Sequence, residues 1–143
     1  MAKRNIFRGL AAVLALGMCM TGIAGCGSEK RADGKTEIEV VSYKPEAVKA
    51  FEKIEKRFNE THDDIHLTIS SPNEAMTILK TRFIREDYPD IIAIGGDINY
   101  SNFLDADLFE DISGLDEVQT VKQAYLDMDK ELEFIPKDGT YAL

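Results

Sequence analysis

Asp97 is the residue whose type and position most directly suggest ligand binding. It follows Ile91–Ile94, a short and mostly β-branched run that lies between a Pro-Asp and a Gly-Gly dipeptide. Such a run predicts a buried central strand, apolar on both faces, in a parallel sheet covered by helices. Because open α/β sheets bind ligands at the carboxyl ends of their strands, Asp97 is placed to contact a ligand. The simpler interpretation, which spacing alone favours, is that Asp97 caps the helical turn that follows.

The other side chains that could perform chemistry do not form a known catalytic or metal-binding pattern. His62 and His66 are four residues apart, which brings ligands together only on a helix, and this stretch is predicted to run from a turn into a strand. A segment beginning at Asp97 starts like a calcium loop but has Asn102 in place of the required Gly and Leu108 in place of the final acid. No P-loop or Gly-x-Ser-x-Gly motif is present. We therefore predict no enzyme activity, no cofactor and no metal.

The composition is that of a soluble globular protein with an acidic surface. The chain has 143 residues, 44% of them apolar and 30% charged, and its net charge is −9. This length is typical of one domain. The excess of negative charge argues against nucleic acid, whose phosphates require cations, and against a polybasic membrane patch.

The first 25 residues resemble the signal peptide of a bacterial lipoprotein. Three basic residues precede residues 10–20, an apolar stretch of 11 residues that is too short for a comfortable membrane span. Ile23–Cys26 then resembles a lipobox, in which Cys26 would carry a diacylglycerol and a further acyl chain such as palmitate. Because stable anchoring requires at least two chains, the resemblance implies a protein held on the outer face of the cell membrane. The alternative is an ordinary secretory signal with an incidental cysteine.

The remaining chain divides into a tether and one folded unit. Residues 26–36 are small, charged and without periodicity, which is typical of a flexible tether. Residues 37–143 contain no cysteine, so no disulfide or zinc site can form in them.

The elements that must position these side chains alternate between strands and helices. Glu37–Ser42 predicts the first strand and Ile65–Ser70 the second. Apolar residues recur at helical spacing between the strands; they are Val48, Phe51, Ile54 and Phe58, then Ala75, Ile78, Leu79 and Phe83. With Pro45 at the first helical position, and Asn59 to Asp64 as an exit turn, the order predicts parallel crossovers in an α/β fold.

After Asp97 the pattern becomes less regular. Phe103, Leu104, Leu108 and Phe109 are expected to pack together, and Val118 to Met128 predicts an amphipathic helix capped by Asp116. Asp138-Gly139 indicates a hairpin turn, with only four residues after it. We therefore expect the chain to stop within a structural element, as a fragment would.

Several segments, in this order and spacing, resemble the N-terminal part of extracellular solute-binding proteins of the sugar-binding type. These are the receptor subunits of ABC importers. The segments are Glu37–Ser42, Phe51–Phe58, Tyr88–Ile92, Phe103–Ile112 and Asp138–Leu143. The resemblance implies a periplasmic-binding-protein-like (type II) fold, of which residues 37–143 would supply a partial N-terminal lobe with a parallel-rich sheet flanked by helices. In that family the ligand lies between two lobes that close about a hinge.

Carried onto this chain, the resemblance implies a carbohydrate site at the carboxyl ends of the strands. Its residues would be Ser42, Tyr43, Asn73, Glu74, Asp97 and Tyr141. A carboxylate can accept hydrogen bonds from two hydroxyls, and an aromatic ring can pack on a pyranose. The alternatives are that Tyr43 covers the edge of the core and that Glu74 is a solvated acid in the first turn of a helix.

Two classes of function follow from the sequence. In the first, the chain is a fragment of a substrate-binding lipoprotein that delivers a carbohydrate to an ABC permease. In the second, it is a truncated or degenerate surface lipoprotein that binds no small molecule.

Overall fold

A three-stranded parallel sheet organises the part of the chain that the structure describes, which is residues 32–143 of a computed structural model. β1 (Thr36–Ser42) pairs with β2 (Ile65–Ser70) on one side and with β3 (Ile91–Ala93) on the other. Both pairings are parallel, with Val41 opposite Ser70 and Ser42 opposite Ala93. The predicted α/β fold with a parallel sheet is confirmed. The predicted signal peptide at residues 1–25, the predicted lipobox and most of the predicted tether at residues 26–36 lie outside the described residues.

The position of β3 corrects one prediction. Ile91–Ile94 was expected to form a buried central strand, but the central strand is β1 and β3 lies at an edge. The side chain of Ile91 is accordingly exposed, at 51%, whereas Val41 and Ser42 of β1 are each 1% exposed. An apolar run indicates burial on average, but the order of strands depends on which partners pair with it, and this information is not local. β1 also begins at Thr36, so this residue belongs to the sheet and not to the tether.

Helices connect the strands in the predicted order. A short 3₁₀ helix (Pro45–Ala47) leads into α1 (Val48–Thr61), and α2 (Ala75–Ile84) connects β2 with β3. Pro45 stands at the first position of the 3₁₀ helix, as expected, because its missing N–H would have no partner there. α1 continues through Thr61, so the exit turn predicted from Asn59 is shorter than expected.

Two side chains of α1 cover the outer edge of β2. The side-chain amide of Asn59 donates to the Leu67 carbonyl at 2.8 Å and accepts from the Leu67 N–H at 2.8 Å, as a neighbouring strand would. Glu55 accepts from the Ile69 N–H at 2.8 Å. Because these bonds satisfy polar backbone groups at the edge, they oppose pairing of β2 with another chain.

Arg82 joins α2 to the central strand. Its guanidinium makes two parallel bonds of 2.7 Å each to the Glu39 carboxylate and further bonds of 3.1 and 2.9 Å to Asp87. These two carboxylates raise the pKa of Arg82 above its ordinary value, mainly through hydrogen bonding. Asp90, just before β3, accepts from the Glu39 N–H at 2.8 Å. Planar bidentate pairing of this kind fixes orientation as well as contributing energy.

An aromatic cluster around α3 (Ile98–Asp105) forms the second part of the core. Tyr100, Phe103 and Leu104 are buried. The Phe103 ring meets Phe83 of α2 edge-on, with 5.1 Å between the ring centroids, and Phe109 at 6.3 Å. The predicted packing of residues 103–109 therefore ties α3 to α2.

The region after α3 corrects two further predictions. The single amphipathic helix expected over 118–128 is two elements, a 3₁₀ helix (Asp116–Thr120) and α4 (Gln123–Glu131), because Val121 and Lys122 are extended. Asp116 lies inside the 3₁₀ helix and does not cap it; Leu115 occupies that position and no side chain bonds the free N–H groups.

The hairpin expected at Asp138-Gly139 is also absent from residues 32–143. Gly139 makes a turn with φ of 109°, after which the Thr140 carbonyl accepts from the Ile112 N–H at 2.8 Å. Within the same residues no helix has the length and apolar character needed to cross a membrane.

Replacing Arg82 by Ala should lower the free energy of unfolding by about 2 kcal/mol, because Glu39 would keep a partly buried charge without its partner. Lys56→Ala is the matched control, since its pair with Glu60 is exposed, with side-chain accessibilities of 76% and 62%. That change should stay within about 0.5 kcal/mol. Urea denaturation measures both. Equal losses in the two variants would show that the Arg82 pairing does not stabilise the fold.

Candidate functional site

The carboxyl ends of all three strands lie at one edge of the sheet. Val41 of β1 is opposite Ser70 of β2, and Ser42 is opposite Ala93 of β3. The three chain segments that leave the strands therefore start side by side. This is the edge at which open α/β sheets bind ligands.

Three of the six predicted ligand residues line one shallow groove at this edge. Tyr43 lines it from the turn after β1, and Asn73 and Glu74 line it at the start of α2. Its volume is about 150 Å³. Asn73 and Glu74 are exposed, and no side-chain bond caps α2, so both side chains are free to face a ligand within the described part of the chain. The groove offers an aromatic ring, an amide and a carboxylate.

Tyr43 is held between the groove and the segment that follows β3. Its N–H donates to the Ala93 carbonyl at 3.2 Å. A Cβ on Gly95 would lie 3.0 Å from the Tyr43 hydroxyl oxygen, so glycine lets the phenol approach this backbone closely. The ammonium of Lys44 lies 4.6 Å from the centre of the Tyr43 ring. Hydrogen bonding by the Lys44 ammonium, as the donor, to Tyr43 raises the pKa of Lys44, so the side chain keeps its charge.

Ser42, the last residue of β1, precedes Tyr43 and does not line the groove. Its side chain is 1% exposed, and its hydroxyl accepts from the Lys44 N–H at 3.2 Å. Its carbonyl accepts from the Ser71 hydroxyl at 3.2 Å. These bonds hold the turns after β1 and β2 together. Direct ligand contact by Ser42 stays a prediction, while its observed contacts position Tyr43.

Asp97 caps α3, as the simpler interpretation of its spacing predicted. Its Oδ1 accepts from the Asn99 N–H at 2.7 Å and from the Asn99 side-chain amide at 3.1 Å. Both bonds use the same oxygen, which leaves Oδ2 without a hydrogen-bond partner among residues 32–143. Capping and ligand contact are thus compatible for this exposed carboxylate.

The structure places Tyr141 apart from the groove. Tyr141 lines a different cavity, and its hydroxyl donates to the Asp138 carbonyl at 2.8 Å. The Asp111 carboxylate positions the preceding turn by accepting from the N–H groups of Thr140 and Ser113, at 3.0 and 2.9 Å. These bonds hold the pKa of Asp111 below its ordinary value. Within residues 32–143, Tyr141 therefore does not share a cavity with Tyr43, Asn73 and Glu74, and its contact with a ligand stays a prediction.

Neither histidine belongs to a cluster of side chains that could bind a metal ion in residues 32–143. The His62 ring stacks on Phe58, with 3.9 Å between the ring centroids, and its Nδ1 lies 2.9 Å from the Phe58 carbonyl. His66 stands opposite Glu37 in the sheet. Among residues 32–143, no group of three or more His, Cys, Asp or Glu side chains could hold a metal ion.

Sequence reasoning missed two features of the site region. Lys44 was not selected, although its position beside Tyr43 brings a cation to the aromatic ring. The cavity around Tyr100, Asp129 and Glu133 was also missed, because it forms between α3, α4 and the last residues of the chain. The acids at positions 129 and 133 are spaced as neighbours on a helix, and this was the available signal.

Comparison with known proteins finds similarity to sugar-binding proteins. No family model matches the chain. A multiple sugar-binding protein of Streptococcus mutans is 28% identical over 114 residues, which cover 77% of this chain and 27% of that protein. The apo form of RafE from Streptococcus pneumoniae superposes with a TM-score of 0.62 at 27% identity, over 71% of this chain and 26% of RafE. The chain is therefore similar in sequence and in fold to part of these sugar-binding proteins.

A second structure of the same kind is the substrate-binding protein RafE in complex with raffinose. It superposes with a TM-score of 0.58 at 30% identity and covers 65% of this chain and 24% of RafE. The chain therefore spans about a quarter of the length of the relatives it matches. What this chain shares with them is part of an α/β solute-binding fold.

Replacing Gly139 by Ala should lower the free energy of unfolding by about 1–3 kcal/mol, because φ of 109° strains any other residue. The new Cβ would also lie 2.7 Å from the Asp111 carboxyl carbon. Gly114→Ala is the control, since its Cβ would meet no atom within 4 Å. Chemical denaturation gives the energies, and exchange of the Ile112 amide hydrogen reports on the Thr140 contact. Equal behaviour of the two variants would contradict the strained turn.

Proposed function

We propose that this chain is part of a substrate-binding lipoprotein that binds a carbohydrate outside the cell and delivers it to an ABC permease. The observation that carries the proposal is the groove at the carboxyl edge of the sheet, in a fold shared with a protein solved in complex with raffinose. Binding and release require no chemistry, so the proposal includes no catalytic residue, cofactor or metal.

The groove has the chemistry that a sugar requires. In the groove, Glu74 can accept a hydrogen bond from a hydroxyl, and Asn73 can both donate and accept. Asp97 does not line the groove, but it follows β3 at the same edge of the sheet, and we propose that its free Oδ2 accepts a further bond from the sugar. The Tyr43 ring offers an apolar face for a pyranose. Because Lys44 lies over the Tyr43 ring, we propose that a sugar packs on the face opposite the Lys44 ammonium.

The small size of the groove supports a ligand site to which a second part of the protein also contributes. Ligand pockets commonly enclose about 300–1,000 Å³, whereas this groove has about 150 Å³. About three quarters of the length of the relatives lies outside the matched region. We propose that the remaining contacts to the sugar come from a second lobe and that closure of the two lobes traps it.

The small groove also favours one alternative. A chain restricted to these contacts would enclose little of a sugar, as expected for a truncated or degenerate surface lipoprotein without small-molecule binding. Sugar titration of the full-length protein distinguishes the two functions.

Asp97→Asn should weaken raffinose binding about tenfold, because the variant keeps a capping oxygen but loses the charge that accepts from sugar hydroxyls. The free energy of unfolding should change by only a few tenths of a kcal/mol, since Asn caps a helix as well as Asp. Titration calorimetry with raffinose measures the affinity. Asp63→Asn, an equal charge change at an exposed position between α1 and β2, is the control.

An unchanged affinity in Asp97→Asn would leave Asp97 with its capping role alone. Binding of a different sugar but not raffinose would change the substrate. Failure of the unaltered protein to bind any sugar would favour the alternative function.

The lipid anchor is a separate part of the proposal and rests on the sequence of residues 1–26. We propose that residues 1–25 are removed, that Cys26 is acylated, and that residues 26–36 hold the domain outside the cell membrane. Cys26→Ala should abolish incorporation of labelled palmitate and release the protein from the membrane fraction. Cys19→Ala, within the apolar stretch, should change neither. Palmitate incorporation that persists in Cys26→Ala would contradict this assignment.

A further inference from the structure

A second cavity lies away from the proposed sugar groove. It has a volume of about 250 Å³ and lies between α3, the 3₁₀ helix at 116–120, α4 and the segment around Tyr141. Tyr100 lines it from α3, Asp129 and Lys130 line it from α4, and Glu133 follows α4. None of these side chains has a place in the proposed sugar groove.

Tyr100 brings an unpartnered hydroxyl to this cavity. The residue is 4% exposed, yet no described residue forms a hydrogen bond with its hydroxyl. Burial raises the pKa of Tyr100 to about 12, with further contributions from Glu133 and Asp129. The phenol therefore stays protonated and can both donate and accept a hydrogen bond. The hydroxyl oxygen is not sealed from solvent, since Asp105 Oδ1 is the buried side-chain oxygen without a partner in the described residues. The phenol is therefore open to the cavity and can form a hydrogen bond with an occupant.

Asp129 adds a half-buried carboxylate that also has no ion-pair or hydrogen-bond partner among residues 32–143. Burial raises the pKa of Asp129, because no positive partner offsets the cost of removing its charged form from water. Asp127, which also lines the cavity, differs in that it accepts from the Gln123 side chain at 2.8 Å.

Lys130, the cation adjacent to Asp129 in sequence, already has other partners. The Lys130 ammonium pairs with Glu133 at 3.0 Å and donates to the Lys137 carbonyl at 2.6 Å. It also lies 5.8 Å from the centre of the Tyr141 ring. The Glu133 side chain is 2% exposed, so its charge requires this partner. Lys130 consequently neutralises the charge of Glu133, and the charge of Asp129 has no paired cation in the described residues.

These observations indicate the charge and the size of a ligand that would fit the cavity. An anion would be repelled by Asp129, and a neutral polyol would leave that charge unbalanced. A metal ion lacks a sufficient ligand set within residues 32–143. The volume of about 250 Å³ is below the usual range for ligand pockets, about 300–1,000 Å³, so the occupant has few heavy atoms.

We propose that this cavity binds a small organic cation with a primary ammonium group. The ammonium donates hydrogen bonds to the Asp129 carboxylate and to the Tyr100 hydroxyl oxygen. The Tyr141 ring beside them provides an aromatic surface that already attracts one cation, Lys130.

Titration of the full chain with putrescine tests the charge requirement. 1,4-Butanediol is the matched neutral probe, since it replaces both ammonium groups by hydroxyls, and glucose is the sugar control. Putrescine should bind and the two neutral compounds should not. Equal binding of the diol, binding of glucose at the same cavity, or no binding of putrescine would each overturn the proposal.

Variants identify the cavity as the site. Asp129→Asn should weaken putrescine binding by on the order of ten- to a hundredfold, because a charge-assisted bond is lost. Asp127→Asn removes an equal charge from the same helix but one already paired with Gln123, and should retain affinity. Tyr100→Phe should lower affinity less than Asp129→Asn. Equal losses in the two Asn variants would show general attraction to an acidic surface and overturn the site.

Circular dichroism of each variant establishes that it is folded. The raffinose affinity of Asp129→Asn keeps the two sites distinct: it should match that of the unaltered protein, because Asp129 does not line the sugar groove. A parallel loss of raffinose and putrescine binding would overturn the assignment of a separate cation site.

Discussion

The fold depends on β1 being paired on both sides by parallel strands. A parallel strand requires a crossover connection, so each pairing of β1 brings a helix into the structure. The pairing of Ser42 with Ala93 and of Val41 with Ser70 also brings the three strand ends to one edge. Everything proposed for sugar binding at Tyr43, Asn73 and Asp97 depends on this alignment.

Side chains satisfy backbone groups at the outer edge of the short sheet and join a helix to its central strand. Asn59 and Glu55 bond to the outer edge of β2, and Arg82 joins α2 to Glu39 of the central strand. The Arg82 contact matters for the groove because Asn73 and Glu74 stand at the start of α2. A helix that could move relative to β1 would not keep these side chains at a fixed distance from Tyr43.

Two polar sites with different charge arise from this arrangement. The groove at the sheet edge is open and has Lys44 beside its aromatic ring, whereas the cavity beside α4 has a half-buried carboxylate and a phenol without partners. Burial explains the difference, since Asp97 is exposed to water and has its capping bonds, whereas Asp129 is partly buried and has no side-chain partner in the described residues. The first arrangement suits hydroxyl groups and the second suits a cation.

The sequence by itself determined the class of fold and the order of its elements, because alternation and helical spacing are local signals of which face is buried. It also offered a helix cap as the simpler interpretation of Asp97, since a cap involves residues only two apart. It placed Ile91 in a buried central strand, and this was wrong, because strand order depends on pairings between residues far apart in the chain.

Only the tertiary structure decided which side chains share a site. It brought Tyr43 beside Asn73 and Glu74, buried Ser42 at the end of β1, and assigned Tyr141 to another cavity. Residues 30 or more positions apart meet there through packing and loop geometry, for which a linear pattern contains no signal. The same reason explains why the unpaired state of Asp129 could not be predicted: a charge is unbalanced only relative to neighbours that the fold provides.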